Sequence, residues 1–116
     1  MTRLLALAVA LLLAFPAVAP AQHFRGHRFI HNPWHSSRIT VHRTHWAAVR
    51  IVKRVFAVRP GTTIYACSRH SRHVGGCDFA FTSRFGNYTC GNAVVRAGKS
   101  RFRVRYVADN AGCGDF

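Results

Sequence analysis

Acidic residues are nearly absent from this chain of 116 residues, which contains three aspartates and no glutamate. Hydrolases that work with a pair of carboxylates therefore have almost nothing to use here, unless Asp78 and Asp109 meet in the fold. Asp115 stands next to the carboxyl terminus, where we expect it to be solvated. The sequence also lacks a recognisable set of nucleophile, base and acid, so we predict that the protein is not an enzyme.

Long apolar runs are also lacking, apart from one between Leu4 and Phe15 that follows the basic start of the chain. Its twelve residues span only about 18 Å as a helix, too short for a membrane core of about 30 Å. Small residues at Ala19 and Ala21 then match a signal-peptidase site. We predict a secretory signal over residues 1–21 and an exported protein, periplasmic or extracellular.

Positive charge dominates the chain, because lysine and arginine together number 17 and the formal net charge is +14. Such a surface attracts polyanions, among them nucleic acid, anionic lipid headgroups and acidic polysaccharide. We predict a non-catalytic binding or structural protein whose partner is an anionic polymer or membrane surface, with no small-molecule cofactor. The candidate anion-binding residues are Arg69, Arg72, Arg101, Arg103 and Arg105.

Residues 22–43 show no sustained period of 2 or 3.6, and Gly26 and Pro33 interrupt any pattern that begins. We predict a disordered basic arm there. Histidine recurs in it at every fourth residue: His23, His27, His31 and His35. On a helix this spacing would align four imidazoles as metal ligands, which makes metal binding in the cell envelope one alternative function. We favour a tail in which histidine is simply a polar residue.

Residues 44–61 are predicted to form an amphipathic helix followed by a turn. Thr44 can cap the helix, and apolar residues follow at helical spacing, with basic residues opposite them at Arg50, Lys53 and Arg54. Arg59-Pro60-Gly61 is a strong stop. Because several residues of the segment are β-branched, a strand over 44–58 is the alternative.

Residues 62–116 contain all four cysteines and the clearest alternation in the chain. From Arg101 to Tyr106 the sequence alternates arginine with Phe102, Val104 and Tyr106, which predicts a strand with one apolar and one arginine face. We predict a mainly β fold, with a small α+β fold as the alternative. Its centre is a four-stranded antiparallel meander stapled by disulfides, preceded by the basic helix and the disordered arm.

The cysteines Cys67, Cys77, Cys90 and Cys113 permit three disulfide connectivities. A hairpin centred between Ser83 and Arg84 would place Cys77 opposite Cys90, so we favour Cys77–Cys90 together with Cys67–Cys113. A zinc site built from Cys67, His70, His73 and Cys77 is the alternative, but an exported chain with an even number of cysteines favours disulfides.

A second alternative function concerns the tandem Ser-Arg-His sequence from Ser68 to His73. Small basic secreted nucleases can work with two histidines and a cation, and His70, His73 and Lys99 could supply them. Nothing in the spacing of these residues requires that chemistry. An exposed polar turn that contacts phosphate or sulfate oxygens is the simpler interpretation.

Overall fold

The computed structural model describes residues 23–110 and Cys113, which form one helix lying across one face of a five-stranded antiparallel sheet. In chain order the elements are β1 (His23–His31), α1 (Val41–Val55), β2 (Ile64–Arg69), β3 (Val74–Thr82), β4 (Tyr88–Ala97) and β5 (Arg101–Asp109). Across the sheet the strand order is β1-β5-β4-β3-β2. The predicted signal segment, residues 1–21, lies outside the described residues.

The mainly β fold is confirmed, and strands β2 to β5 form the predicted meander, each pairing antiparallel with the next. The count of four strands is wrong. A fifth strand, β1, pairs with β5 from His23 opposite Asp109 to His31 opposite Arg101. The prediction of a disordered arm over 22–43 is therefore wrong for residues 23–31.

Gly26 shows why the alternation of β1 was hard to see in the sequence. The β1 residues that face the helix include Phe24 and Ile30, but Gly26 lies between them at a position that faces Tyr106. A Cβ atom at Gly26 would collide with the Tyr106 hydroxyl. The glycine that interrupts the sequence pattern is thus the residue that lets β1 pack beside the Tyr106 ring.

The loop after β1 is held by Asn32, a fully buried polar residue. The Asn32 Nδ2 donates to the Ser36 carbonyl (2.8 Å) and to the Gly98 carbonyl (2.7 Å), and Oδ1 accepts from the Trp34 amide (3.0 Å). The backbone N–H of Asn32 also donates to the Ser100 carbonyl. Because buried polar groups need partners, these bonds fix the loop against the β4–β5 turn.

The helix prediction is confirmed and the strand alternative over 44–58 is wrong, but α1 begins earlier than Thr44. Thr40 is the N-cap, and its hydroxyl accepts from the Arg43 amide at 3.1 Å. Thr44 lies within the first turn, where its hydroxyl donates to the Thr40 carbonyl (2.7 Å). The Thr44 side chain is buried against Gly75 of β3, where a Cβ atom would clash with it.

The core lies between α1 and one face of the sheet. The buried helix residues Ala47, Ala48, Ile51 and Val52 meet a sheet surface whose buried residues include Phe81, Val95, Phe102 and Val104.

At the edge of the helix, the His45 ring meets the Tyr65 ring edge-on with centroids 5.1 Å apart, and burial raises the pKa of the Tyr65 phenol. The opposite face of the sheet has no helix over it within the described part of the chain.

The disulfides join Cys67 to Cys77 and Cys90 to Cys113, so the favoured connectivity is wrong. In the β3–β4 hairpin Cys77 lies opposite Ala93, and Cys90 lies opposite Ala80. Cys77 and Cys90 therefore point to opposite faces of the sheet and cannot bond. Cys67 instead lies directly across from Cys77 in the β2–β3 pair. Both cysteines of the zinc alternative are thus oxidised.

The two disulfides indicate an oxidising compartment, as expected for an exported protein. Among the residues that the structure describes, no helix is long and apolar enough to cross a membrane.

Amide exchange distinguishes a paired β1 from a disordered arm. We expect every second amide between Phe24 and Ile30, those that point at β5, to exchange slowly, and the outward amides of this edge strand to exchange fast. The exposed turn at Lys99 serves as the fast-exchanging reference. Uniformly fast exchange from Phe24 to Ile30 would show that β1 does not pair with β5 in solution.

Candidate anion-binding face

The uncovered face of the sheet carries five arginines. Arg101, Arg103 and Arg105 project from β5 on the side opposite the buried Phe102 and Val104, as the alternation predicted. The antiparallel register adds one arginine from each neighbouring strand. We call this surface the arginine face, and its members are Arg25, Arg96, Arg101, Arg103 and Arg105, all of them exposed.

The spacing of these arginines is fixed by the sheet. Along β5, side chains two residues apart on one face are separated by about 6.5–7 Å. Arg96 of β4 lies directly opposite Arg103, which brings their Cβ atoms within about 4.5–5.5 Å. Like charges directly across a strand pair destabilise a sheet. Folding alone therefore gives no reason for this pair, whereas an oxyanion placed between the two guanidinium groups would remove their repulsion.

A depression of about 330 Å³ lies in the middle of the arginine face. It is lined by Val74 and Val94 and by the three side chains of Arg96, Arg103 and Arg105. Val94 lies opposite Arg105, and Val74 lies opposite Arg96, so the valines stand beside the arginines in the next strands. The arrangement offers an apolar floor with guanidinium groups around it, which suits a ligand that combines oxyanions with flat or apolar parts.

No acidic residue lines the depression of the arginine face. Asp78 lies on the same face, two strands from β5, and its Oδ1 accepts from the Asn92 amide group at 2.8 Å. Arg101 stacks on the exposed ring of Phe29, with its Cζ 4.1 Å from the ring centroid. The guanidinium groups of Arg96, Arg103 and Arg105 are thus available to an external anion.

Two histidines of β1 add to this face, and the strand spaces them differently from the helix on which the metal alternative depends. His27 lies opposite Arg105 and His31 opposite Arg101. Because β1 is a strand, four residues separate them by about 13 Å, too far for one metal ion. The His31 and His35 rings do approach, with centroids 5.6 Å apart. No group of three or more metal-ligating side chains occurs among the described residues, and the side chain of His23 lies outside them.

The five arginines predicted to bind anions do not form one group. Arg69 ends β2, three strands from β5, and its Nε donates to the Ser71 carbonyl at 3.0 Å. Arg72 stands in the β2–β3 turn, where its carbonyl accepts from the Ile39 amide. The structure therefore brings together Arg101, Arg103 and Arg105 and leaves the other two at a separate, exposed turn.

His70 and His73, the histidines of the nuclease alternative, lie in that same turn. The His73 Nδ1 is 2.6 Å from the Ser37 carbonyl, so this nitrogen is the donor of the pair. His70 lies over Gly76, where an added Cβ atom would meet its ring at 2.9 Å. The His73 carbonyl accepts from the Ala97 amide, which places the turn beside the β4–β5 turn that contains Lys99. The two turns therefore lie at the same end of the sheet.

No local pattern in the sequence indicated that Arg25 and Arg96 would join the arginine face. Arg25 lies in the segment predicted to be disordered, and its place follows only from the pairing of β1 with β5. Arg96 follows Ala93-Val94-Val95, a run in which no alternation is visible because Val94 is half-buried on the uncovered face. Arg96 could be assigned to this face only if the register between β4 and β5 were known, and the sequence leaves that register open.

Comparison with known proteins adds no relative, since no protein-family model, curated protein or solved structure matches this chain.

Proposed function

We propose that this protein is a small exported, non-catalytic module that holds a phosphate- or sulfate-bearing polymer or surface on its arginine face. The observation that carries the proposal is the depression lined by Arg96, Arg103 and Arg105 and by no acidic residue. Guanidinium groups bind oxyanions with two parallel hydrogen bonds, and a rigid sheet holds the groups in place before the partner arrives.

The position of the arginines on a sheet supports binding of an extended partner. The row along β5 extends from Arg101 to Arg105, so a polymer that lies along it meets a guanidinium group about every 6.5–7 Å. Phe29 and the two valines offer apolar contact beside the charges. An aromatic ring within a basic surface is a common arrangement for single-stranded nucleic acid.

Catalysis is left out of the proposal on chemical grounds. Cleavage of a phosphodiester needs a base and an acid that act on the same phosphate. The histidines predicted for those roles lie at the β2–β3 turn, where one nitrogen of His73 is engaged by a backbone carbonyl. The arginines of the sheet stabilise negative charge but neither remove nor deliver protons at neutral pH.

The test is to incubate the protein with end-labelled RNA and DNA and to measure retention separately from cleavage. We expect retention of both, competition by a sulfated polysaccharide, and no shortened product. Anionic vesicles in the same assay separate a lipid surface from a dissolved polymer. Shortened product that is lost in the His70→Ala, His73→Ala double variant would replace the proposal with the nuclease alternative.

A further inference from the structure

Phe29 places an aromatic ring on the arginine face. It lies directly opposite Arg103 in the β1–β5 pair, so its side chain projects from the same uncovered side of the sheet, and it is 48% exposed. The Arg101 guanidinium lies over the ring, and the His27 ring meets it edge-on with centroids 6.2 Å apart. A single exposed phenylalanine is ordinary on a protein surface. Its position among the arginines is what gives a charged polymer something to contact besides charge.

The register aligns Phe29 with two arginines across the sheet. Phe29 of β1 lies opposite Arg103 of β5, and Arg103 lies opposite Arg96 of β4. Because neighbouring strands are about 4.8 Å apart, one flat ring and two guanidinium groups start from positions within about 10 Å on a line across the strands. Arg96 and Arg103 also line the depression of the arginine face. The row therefore combines a surface for a ring with two positions for oxyanions.

The candidate polyanions differ in whether they can use both parts of this row. A sulfated polysaccharide or an anionic phospholipid surface carries oxyanions but no aromatic ring. A nucleic acid duplex has aromatic bases, but they are stacked on each other inside the helix, where a side chain lying on a sheet does not reach their faces. A single strand exposes the faces of its bases beside its phosphates, and such bases stack on phenylalanine rings and guanidinium planes.

We infer that the arginine face binds single-stranded nucleic acid with one base stacked on Phe29. This inference rests on the proposed function, because it names which polyanion the arginine face holds. Arg96 and Arg103 contact the phosphates beside the stacked base and attract any phosphate or sulfate polymer. Phe29 is the specificity-determining residue, since contact with a base distinguishes a single strand from the other polyanions.

An oligothymidine strand and an abasic strand of the same length test this inference, because they carry the same phosphates and differ only in their bases. We expect the wild-type protein to bind oligothymidine about tenfold more tightly, which corresponds to about 1.4 kcal/mol and to the stacking of one base. In Phe29→Leu, which keeps an apolar side chain but removes the aromatic ring, the two strands should bind alike. Phe29→Trp should keep the preference.

Two further measurements separate stacking from a general loss of binding in Phe29→Leu. The dependence of affinity on salt concentration should stay the same, because stacking on a base releases no counterions. The affinity for a DNA duplex should also stay the same, because its bases do not reach the ring. A flatter salt dependence or an equal loss of duplex binding would mean that the substitution disturbs the arginines, and the inference would be overturned.

Tyr88→Leu is the control, because Tyr88 is an exposed aromatic residue (52%) on the same side of β4 as Arg96 but near the other end of the strand. It should keep the tenfold preference. Equal binding of the two strands by the wild type or by Phe29→Trp, or loss of the preference in Tyr88→Leu, would overturn the inference. The proposed function would still stand if binding depends on Arg96, Arg103 and Arg105. If no nucleic acid, polysaccharide or vesicle binds, both are overturned.

Discussion

Replacing Arg96, Arg103 and Arg105 together with serine is expected to flatten the salt dependence of DNA binding by about two to three units in a log–log plot. Each phosphate contact contributes a slope of about −0.9 through release of counterions, so the loss of three contacts sets the size of the change. These residues line the depression of the arginine face. Affinity at low salt should fall steeply, and the measurement is a titration with labelled DNA at several salt concentrations.

The matched control removes the same number of charges from the other side of the molecule. Arg50, Lys53 and Arg54 are exposed on α1, and their replacement by serine changes the net charge by the same amount. We expect the control to keep most of the salt slope. If the α1 variant loses as much of the salt slope as the sheet variant, binding follows net charge alone. If the sheet variant keeps its full salt slope, the function lies elsewhere.

Asn32→Ala is expected to lower the free energy of unfolding by about 3 kcal/mol. The substitution leaves the carbonyls of Ser36 and Gly98 and the amide of Trp34 without the partner they have in the native fold. Each unsatisfied group costs about 1–3 kcal/mol when it is shielded from water, and partial solvation of the exposed loop keeps the sum near the lower end. Denaturant unfolding with the disulfides intact measures the change.

Asn87→Ala is the control for this measurement. Asn87 is exposed, and its side chain makes no hydrogen bond within the described chain, so its removal should cost no more than about 0.5 kcal/mol. A loss below 1 kcal/mol in Asn32→Ala would mean that water replaces the bonds of this side chain. The loop after β1 would then be held by its apolar contacts, chiefly the packing of Trp34 on Trp46.

The strands of the meander could be predicted because their pattern is local. Between Arg101 and Tyr106 every second residue is apolar, and the faces assigned from that alternation match the burial of Phe102 and Val104. A shift of one residue would bury three guanidinium groups. The free-energy cost of burying those charges is enough to decide which face of β5 is buried. The helix was predictable for a similar reason, although its start was placed at Thr44 because either threonine, Thr40 or Thr44, satisfies the rule for a cap.

The features that could not be predicted depend on which distant residues meet. The pairing of β1 with β5 leaves no local pattern, because one face of β1 is uncovered and polar and the other is interrupted by Gly26. The disulfides depend on the centre of the β3–β4 hairpin, which is at Phe85 and not between Ser83 and Arg84. A shift of that size moves Cys90 to the other face of the sheet relative to Cys77.

Only the part of the arginine face that lies on a single strand could be predicted, because only that part has a local pattern. Three of the arginines share one strand, so their common side follows from the period of 2. Arg25 and Arg96 reach the face only through the neighbouring strands.

The pairing of β1 with β5 also has a consequence for the order in which the chain folds. The first residue of β1 pairs across the sheet with the last residue of β5, so the first of the described strands to be synthesised has to wait for the last. Contacts this distant in sequence slow folding, because the intervening chain must be ordered before they form. The Cys90–Cys113 disulfide likewise closes only after Cys113 has been synthesised. A nascent chain therefore cannot complete this sheet before β5 has been synthesised.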